Sequence, residues 1–251
     1  MKLEKLNAIV TGGASGLGGA VVQALVKAGL QVSALDLPGK EREEAVKAMG
    51  AAFIGVDVTD RQQIKQALSN LVESWGSLHV AVNCAGVAMA IKTLQGGQAS
   101  DLNIFEKVIQ VNLSGTYNVC QCAAEVMAKN EPNENGERGL LVMTSSIAAF
   151  EGQKGQTAYA ASKGGIRSLV LPMARDLADL GIRVMGIAPG VFDTPMMASL
   201  PDAAKEMLIK TLPFPKRLGK PEEFAAMIKH MIENPMLNGS VVRLDGALRL
   251  N

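Results

Sequence analysis

The sequence has few of the side chains that build metal sites or disulfide frameworks. Its 251 residues include only three cysteines, Cys84, Cys120 and Cys122, and two histidines, His79 and His230. Cys120 and Cys122 lie two residues apart on a predicted helix, so their side chains point in different directions. An odd and sparse set of cysteines does not suggest disulfides, and a zinc site is hard to assemble from these residues. We therefore expect no bound metal.

Long hydrophobic runs and a surplus of either charge are also missing. No stretch reaches the roughly 18 uncharged apolar residues that a membrane-spanning helix needs, and the N-terminal residues lack the apolar stretch of a signal peptide. Lysine and arginine total 25, against 24 aspartates and glutamates. This balance gives no basic footprint for nucleic acid and no polybasic patch for a membrane. We predict a cytoplasmic protein that binds a small-molecule substrate and contacts neither nucleic acid nor membrane.

Apolar segments of strand length alternate along the chain with amphipathic segments of helix length. The predicted strands are Asn7–Thr11, Gln31–Asp36, Ala52–Val56, Leu78–Asn83, Leu140–Thr144, Arg183–Ala188 and Val241–Leu244. The predicted helices are Leu17–Ala28, Lys40–Met49, Asp60–Trp75, Asp101–Lys129, Tyr159–Leu180, Pro201–Lys210 and Pro221–Glu233. Strands that are apolar on both sides and alternate with helices indicate a parallel sheet. Residues 1–251 are thus predicted to form one α/β domain, a Rossmann-type doubly wound parallel sheet with helices on both faces.

Three segments interrupt this alternation. Lys92–Ser100 and Asn130–Gly139 are polar and are interpreted as solvated surface loops. The first follows a strand end, where sheets of this class bind ligands, so it is also a candidate border of the substrate site. Residues 190–218 combine prolines and methionines around one short helix, which is typical of a substrate lid. Pro172 lies inside a predicted helix and is expected to kink it.

A glycine-rich turn connects the first predicted strand to the first predicted helix. Gly12, Gly16 and Gly18 lie in this turn. Glycine lets the backbone approach a pyrophosphate closely, and the helix that follows presents unpaired N–H groups to it. Methyltransferases and flavoproteins also contain such turns, but the position between a strand and a helix favours a dinucleotide.

Acidic and small residues follow the next three predicted strands. Asp36 closes the second strand, where a carboxylate accepts hydrogen bonds from the adenosine ribose and repels a 2′-phosphate. This favours NAD over NADP, although Lys40 and Arg42 lie close enough to serve a phosphate if the loop folds back. Asp57 ends the third strand, where it can meet an adenine edge. The small residues of Asn83–Gly86 end the fourth and allow close passage beside a cofactor.

The residues suited to proton transfer come from three further segments. Tyr159 and Lys163 are four residues apart on a predicted helix, so they share one face. A neighbouring ammonium, together with the positive charge of an oxidised nicotinamide, is expected to lower the tyrosine pKa from about 10. Ser146 ends the fifth predicted strand and can hydrogen-bond a substrate oxygen; only one of Ser145 and Ser146 is expected to face the site. Asn112, inside the long predicted helix, is either a helix-packing amide or the anchor of a proton-relaying water.

Together these motifs resemble the short-chain dehydrogenase/reductase family. The motifs that match are Thr11-Gly12-x-x-x-Gly16-x-Gly18, Asn83-x-Ala85-Gly86, Asn112, Ser146, Tyr159-x-x-x-Lys163 and Pro189-Gly190. With Asp245-Gly246 near the end, the match runs from the first predicted strand over essentially the whole chain. The resemblance implies that Asn112, Ser146, Tyr159 and Lys163 are catalytic and that Ser146 and Tyr159 contact the substrate. It places beside NAD the residues Gly12, Ser15, Gly16, Leu17, Gly18, Asp36, Asp57, Val58, Cys84, Ala85, Gly86, Tyr159, Lys163, Pro189, Gly190, Phe192 and Thr194.

A narrower resemblance is to the branch of this family called type II 3-hydroxyacyl-CoA dehydrogenases, or type 10 17β-hydroxysteroid dehydrogenases. It lies in the segments that begin at Ala148, Arg183 and Glu233. It implies NAD-linked oxidation of (S)-3-hydroxyacyl-CoA thioesters to 3-oxoacyl-CoA, with an acyl-CoA as substrate, in a homotetramer. The alternatives are a hydroxysteroid dehydrogenase, a 3-oxoacyl-carrier-protein reductase and, more remotely, a non-catalytic nucleotide-binding protein.

Overall fold

A computed structural model describes residues 1–198 and 201–250. The strands are β1 (Asn7–Thr11), β2 (Gln31–Asp36), β3 (Ala52–Gly55), β4 (Val80–Asn83), β5 (Leu94–Gln95), β6 (Gln98–Ala99), β7 (Gly139–Thr144), β8 (Ile182–Pro189) and β9 (Val241–Leu244). Seven of them form a parallel sheet in the order β3-β2-β1-β4-β7-β8-β9. The predicted strands all appear in this sheet.

Helices cover both faces of the sheet. They are α1 (Gly16–Lys27), α2 (Lys40–Ala48), α3 (Arg61–Trp75), α4 (Leu102–Ile109), α5 (Thr116–Met127), α6 (Thr157–Asp176), α7 (Pro195–Ala198), α8 (Asp202–Thr211) and α9 (Pro221–Glu233). Ala8 and Val10 pack with α1, α2 and α9, whereas Ile9 between them packs with α3, α5 and α6. This alternation along a fully buried strand produces two hydrophobic cores, one on each face. The predicted doubly wound α/β fold is confirmed.

Two elements differ from the prediction. The predicted helix Asp101–Lys129 is interrupted by a π-helical turn, Gln110–Gly115, between α4 and α5. The predicted loop Lys92–Ser100 contains the two short antiparallel strands β5 and β6. Pro172 lies inside α6, which continues to Asp176, and the expected kink stays a prediction.

The predicted loop Asn130–Gly139 is only partly solvated. Glu137 is buried and accepts hydrogen bonds from Arg183, with Nε 2.6 Å from Oε1. A buried carboxylate needs such a partner because desolvation of a lone charge is costly. The loop therefore connects the amino ends of β7 and β8 through this ion pair. The hydropathy of the sequence did not predict this contact.

The predicted lid, residues 190–218, contains α7 and α8, and residues 199–200 within it lie outside the described part of the chain. Across the described residues, no helix is both long and apolar enough to span a bilayer.

Candidate active site

The site lies where the chain reverses its direction across the sheet. From β1 the chain passes to β2 and β3 on one side, and then returns to β4 on the other. Ligands of such sheets bind at this switch point, beyond the carboxyl ends of the strands. The Thr11 hydroxyl accepts a hydrogen bond from the Ala85 amide at 3.2 Å, which joins the turn after β1 to the segment after β4.

The glycine-rich turn is packed so closely that side chains are excluded at Gly12 and Gly18. Gly12 has φ +63°, and a Cβ there would lie 2.8 Å from the Ala85 nitrogen. A Cβ on Gly18 would collide with the Gly12 carbonyl. Ser15 is the N-cap of α1, yet its side chain forms no capping hydrogen bond. The first turn of α1 thus keeps N–H groups uncapped by Ser15, as an anionic ligand requires, and a dinucleotide pyrophosphate fits this turn.

Asp36 lies directly beside this turn. Its carboxylate accepts hydrogen bonds from the backbone amides of Ala14 at 3.1 Å and Leu37 at 2.8 Å. The Arg42 guanidinium lies 3.5 Å from the same carboxylate. Asp36 therefore stands where the adenosine ribose of a bound dinucleotide would be expected, and Arg42 is paired with it.

Asp57 and Val58 follow β3 at the same edge of the sheet. The Asp57 carboxylate accepts hydrogen bonds from the amide and hydroxyl of Thr59, at 2.9 and 2.8 Å. The Val58 carbonyl accepts a hydrogen bond from the side-chain Nδ2 of Asn118 at 2.9 Å. These hydrogen bonds hold the backbone of the segment that follows β3 in place.

Ser146 and Tyr159 meet at the carboxyl end of β7. The Ser146 hydroxyl accepts a hydrogen bond from the Ala148 amide at 3.1 Å, and Tyr159 lies in the first turn of α6. Burial raises the pKa of Tyr159, and hydrogen bonding to the Ser146 hydroxyl offsets part of that rise. Burial outweighs that hydrogen bond, so the pKa moves upward. The lowering expected from Lys163 together with an oxidised nicotinamide stays a prediction.

Lys163 reaches the site from the next turn of α6. Its Nζ lies 5.7 Å from the centre of the Tyr159 ring and donates to the Thr144 carbonyl at 2.8 Å. Burial lowers the pKa of Lys163 to about 8, slightly opposed by the neighbouring Cys84. The carbonyl at the end of β7 stabilises the ammonium where burial disfavours it.

Asn112 occupies the π-helical turn and is completely buried. Its Oδ1 accepts from the Val87 amide at 2.8 Å, and its Nδ2 donates to the Val87 carbonyl at 2.9 Å and to Ser162 Oγ at 3.0 Å. Ser162 in turn donates to the Tyr159 carbonyl at 2.8 Å. The Asn112 side chain thus braces the segment after β4 against α6, as a packing amide does. A water held by Asn112 remains a prediction.

Three positioning groups were not assigned from the sequence. They are the Thr144 carbonyl, the Ser162 hydroxyl and the Ser145 hydroxyl, which donates to the Lys163 carbonyl at 2.8 Å. Backbone acceptors have no residue signature, so Thr144 could not be found in this way. Ser162 lies inside the Tyr159–Lys163 motif and was available as a hydrogen-bonding residue. The expectation that only one of the paired serines faces Tyr159 agrees with the bond that Ser145 makes.

The other residues predicted to contact the cofactor have different surroundings. Gly16 lies beside Thr194, since a Cβ on Gly16 would contact Thr194 at 3.8 Å. A Cβ on Gly86 would lie 3.1 Å from Asn112 Oδ1. The ring of Phe192 packs edge-on against Phe224 in the core, and its contact with a cofactor stays a prediction. Only the main chain of Phe192 is left to meet a cofactor.

Four further residues predicted to contact the cofactor are Leu17, Cys84, Pro189 and Gly190. Leu17 is half-buried at the start of α1. Burial raises the pKa of the Cys84 thiol to about 11, so this thiol is neutral near pH 7 and unsuited to nucleophilic chemistry. Pro189 is buried at the end of β8, and the Gly190 amide donates to the Leu244 carbonyl at 2.9 Å.

Known proteins share this arrangement. The family model described as "short chain dehydrogenase" matches residues 6–205. The chain belongs to the short-chain dehydrogenase family. It is 51% identical to 3-hydroxyacyl-CoA dehydrogenase type-2 of Bos taurus, over 99% of this chain and 97% of that protein. It is 34% identical to a 3-oxoacyl-acyl-carrier-protein reductase of Thermotoga maritima, over 99% of both chains.

A solved structure agrees with these sequence relatives. The crystal structure of a 3-hydroxyacyl-CoA dehydrogenase type-2 from Mycobacterium avium has a TM-score of 0.93 and 43% sequence identity, over 100% of this chain and 99% of that one. As a short-chain dehydrogenase the protein uses a nicotinamide cofactor. Within residues 1–198 and 201–250, no group of three histidine, cysteine or acidic side chains could hold a metal ion.

Proposed function

We propose that this short-chain dehydrogenase interconverts (S)-3-hydroxyacyl-CoA and 3-oxoacyl-CoA with NAD as cofactor. The observation that carries the proposal is the convergence of Ser146, Tyr159 and Lys163 at the carboxyl end of β7, across the switch point from Asp36. The names of the bovine and mycobacterial relatives support the thioester substrate.

The proposed roles follow from the contacts of each side chain. A nicotinamide held beside these residues would supply the hydride acceptor for alcohol oxidation and the hydride donor for ketone reduction. Tyr159 takes the hydroxyl proton during oxidation and donates it during reduction. Ser146 hydrogen-bonds the same substrate oxygen. Lys163 keeps a positive charge close to Tyr159, and Asn112 holds the segment after β4 in register with α6.

The direction of the Tyr159 pKa shift determines which protonation state this side chain has before the reaction. Because burial raises the pKa of Tyr159, its hydroxyl is protonated near pH 7 in the protein alone. That state suits donation of a proton to a ketone. Oxidation needs the phenolate, which the positive charge of an oxidised nicotinamide would favour. We therefore expect alcohol oxidation to accelerate with rising pH more steeply than ketone reduction.

Asp36 supports NAD rather than NADP. Its carboxylate is fixed by two backbone amides beside the glycine-rich turn, where it would repel a 2′-phosphate. Arg42, which we considered as a phosphate ligand, is already paired with Asp36. This arrangement favours NAD(H) over a reductase that uses NADPH.

Residues 190–218 are proposed as the substrate lid. Between this segment and β9 lies a cavity of about 180 Å³, lined in part by Leu212, Leu244 and Pro215. Met207 and Phe214 expose 69% and 81% of their surface. Apolar side chains outside, and space beneath, are what a segment that closes over an apolar acyl chain requires.

A homotetramer is also part of the proposal, as is a cytoplasmic location. Large apolar side chains are exposed on three helices over one face of the sheet: Phe105 on α4, Tyr117 on α5 and Leu171 on α6. Exposed apolar surface of this kind is typical of subunit contacts. Cell fractionation would test the location.

One experiment separates the candidate functions. Formation of the reduced cofactor, NADH from NAD or NADPH from NADP, is followed with a 3-hydroxyacyl-CoA, a hydroxysteroid, a 3-hydroxyacyl-carrier-protein and a simple secondary alcohol. We expect the highest kcat/KM for the CoA thioester with NAD. A preference for the carrier protein with NADP would favour the reductase alternative, and binding of cofactor without any turnover would favour the non-catalytic one.

A further inference from the structure

The C-terminal segment, residues 243–250, lies between the turn that begins at Ser146 and the proposed lid. It consists of the end of β9, a tight turn and the residues that follow this turn. None of its side chains takes part in the proposed proton transfer or in cofactor binding. Its contacts are polar on one side and apolar on the other, and together they reach both neighbours.

Arg243 lies at the centre of the polar contacts. Its Nη1 and Nη2 donate to the two carboxylate oxygens of Glu151 at 2.8 and 3.0 Å, and its Nε donates to Asp245 Oδ2 at 2.6 Å. Nη2 also donates to the Leu248 carbonyl at 3.0 Å. The hydrogen bonding between Arg243 and Glu151 is the main cause that raises the pKa of the first and lowers the pKa of the second. One planar guanidinium, with its fork of donors, thus joins three parts of the chain.

Glu151 closes the turn that begins at Ser146. Ser146 is the N-cap of a short 3-10 helix, and the Glu151 amide donates to the Ile147 carbonyl at 3.0 Å. The Arg243 guanidinium also lies 4.6 Å from the centre of the Phe150 ring in the same turn. Arg243 therefore holds the far end of a compact, hydrogen-bonded turn whose near end carries the Ser146 hydroxyl.

Leu248 makes the apolar contact between this turn and the proposed lid. It is completely buried and packs with Ile147, which follows Ser146, and with Leu212 of the lid. Val191, at the other end of the lid, packs against the same cluster. Because burial of apolar surface favours this arrangement, the cluster holds both ends of the lid close to the serine.

The turn that brings Leu248 into this cluster is strained. Gly246 and Ala247 have φ values of +58° and +63°, and alanine rarely adopts this region because of its Cβ. The Ala247 amide donates to Asp245 Oδ1 at 3.0 Å, and Asp245 is held by Arg243. A strained residue persists only where its surroundings hold it, so Arg243 also maintains this turn.

We infer that Arg243 is a positioning residue that couples the lid to Ser146. Through Glu151 it fixes the turn that begins at Ser146, and through the C-terminal turn it holds Leu248 against Leu212 of the lid. The inference rests on the proposed function, since it needs both the lid and the contact of Ser146 with the substrate oxygen. A closed lid and a correctly placed serine hydroxyl then occur together.

The polar and apolar contacts can be removed separately, with 3-hydroxybutyryl-CoA and NAD as substrates. Glu151→Gln weakens the polar contact with the Ser146 turn and should lower kcat about fivefold, with KM for the thioester nearly constant. Leu248→Ala loosens the lid over the bound thioester and should raise that KM about fivefold, with kcat nearly constant. Arg243→Met loses the donors that hold both contacts and should show both effects, about tenfold in kcat and about fivefold in KM.

Two further variants show whether the guanidinium geometry is responsible. Arg243→Lys keeps the charge without the fork of donors, and its kcat should fall only about threefold. The matched control is Arg249→Met. Arg249 also approaches Asp245 and Glu151, at 3.1 and 3.7 Å, but 56% of its side chain is exposed. Since exposed ion pairs contribute little, its kcat and KM should stay normal.

Each kcat is expressed per NADH-binding site, measured by fluorescence titration, because a variant that merely folds poorly loses sites and activity in proportion. Normal constants in Arg243→Met, equal effects of Arg249→Met, or a loss of sites that explains all the lost activity would overturn the inference. Should Arg243→Met fail to fold, the separate effects of Glu151→Gln on kcat and of Leu248→Ala on KM decide it. Failure of the unsubstituted protein to oxidise 3-hydroxybutyryl-CoA would instead refute the proposed function, and the variants would then be compared on the secondary alcohol that it does oxidise.

Discussion

At the scale of single residues, burial shapes the acid–base properties of the site. It raises the pKa of Tyr159 and lowers that of Lys163 to about 8, so it disfavours the charged form of each. The sequence predicted that these two side chains share a helix face, and the structure agrees. It could not predict the direction of the tyrosine pKa, because that depends on how deeply the hydroxyl is buried before a cofactor binds.

The depressed pKa of Lys163 makes stability depend on pH. Between about pH 8 and 10.5, the unfolded chain holds a proton on Lys163 that the folded chain has lost, so stability rises with pH across this window. Below pH 8 both states are protonated and the full cost of about 3 kcal/mol applies. Urea unfolding of Lys163→Met should show a smaller gain between pH 7 and 9.5 than the unsubstituted protein. Identical gains would contradict the buried ammonium, and Lys129→Met serves as the exposed control.

Asp36 is the residue that we propose selects NAD over NADP. Asp36→Ala removes the carboxylate that would repel a 2′-phosphate and releases Arg42 from its ion pair. The ratio of kcat/KM for NADP to that for NAD should rise about a hundredfold. Adding Arg42→Ala should cancel most of the new NADP activity, and an unaltered ratio in the first variant would remove Asp36 from the cofactor site.

At the scale of elements, the site depends on how the π-helical turn meets α6. The Asn112 amide joins Val87, after β4, to Ser162 on α6. The sequence placed Asn112 inside a helix but could not predict a π turn, because this hydrogen-bond pattern has no residue signature. The β5–β6 hairpin was missed for a different reason: its strands are two residues long and too polar to show a strand pattern.

Ser162 tests this contact between elements. Ser162→Ala removes the bridge between Asn112 and the Tyr159 carbonyl, and it leaves a buried amide with one partner fewer. We expect about 1–2 kcal/mol less stability and a kcat about tenfold lower, with KM for NAD unchanged. The exposed Ser168→Ala on the same helix is the control. A loss of stability with kcat intact would show that the bridge supports the fold and not the tyrosine.

At the scale of the whole molecule, the fold was the most predictable feature. Strands apolar on both sides, alternating with helices, require a parallel sheet covered on both faces, and both cores are present. The loop Asn130–Gly139 was less predictable, because the contact between Glu137 and Arg183 joins residues 46 positions apart. The lid at residues 190–218 stays a proposal.

Subunit assembly is the prediction at this scale. The double variant with Phe105→Glu and Leu171→Glu places charge on the apolar surface of α4 and α6. Multi-angle light scattering should give a tetramer for the unsubstituted protein and for Lys129→Glu, and smaller species for the double variant. A monomer in every case would refute the proposed assembly.

We propose that Tyr159 exchanges the proton of a 3-hydroxyacyl-CoA, for which a bound NAD would supply the hydride acceptor. The chain has one other tyrosine, Tyr117, which is 40% exposed on α5, so the same substitution can be made away from the site. The decisive measurement is the rate of NADH formation from 3-hydroxybutyryl-CoA by Tyr159→Phe and by Tyr117→Phe, with NADH binding followed by fluorescence. We expect Tyr159→Phe to lose about a thousandfold in kcat while it still binds NADH, and Tyr117→Phe to keep normal turnover. Near-normal turnover by Tyr159→Phe would contradict its role in proton transfer.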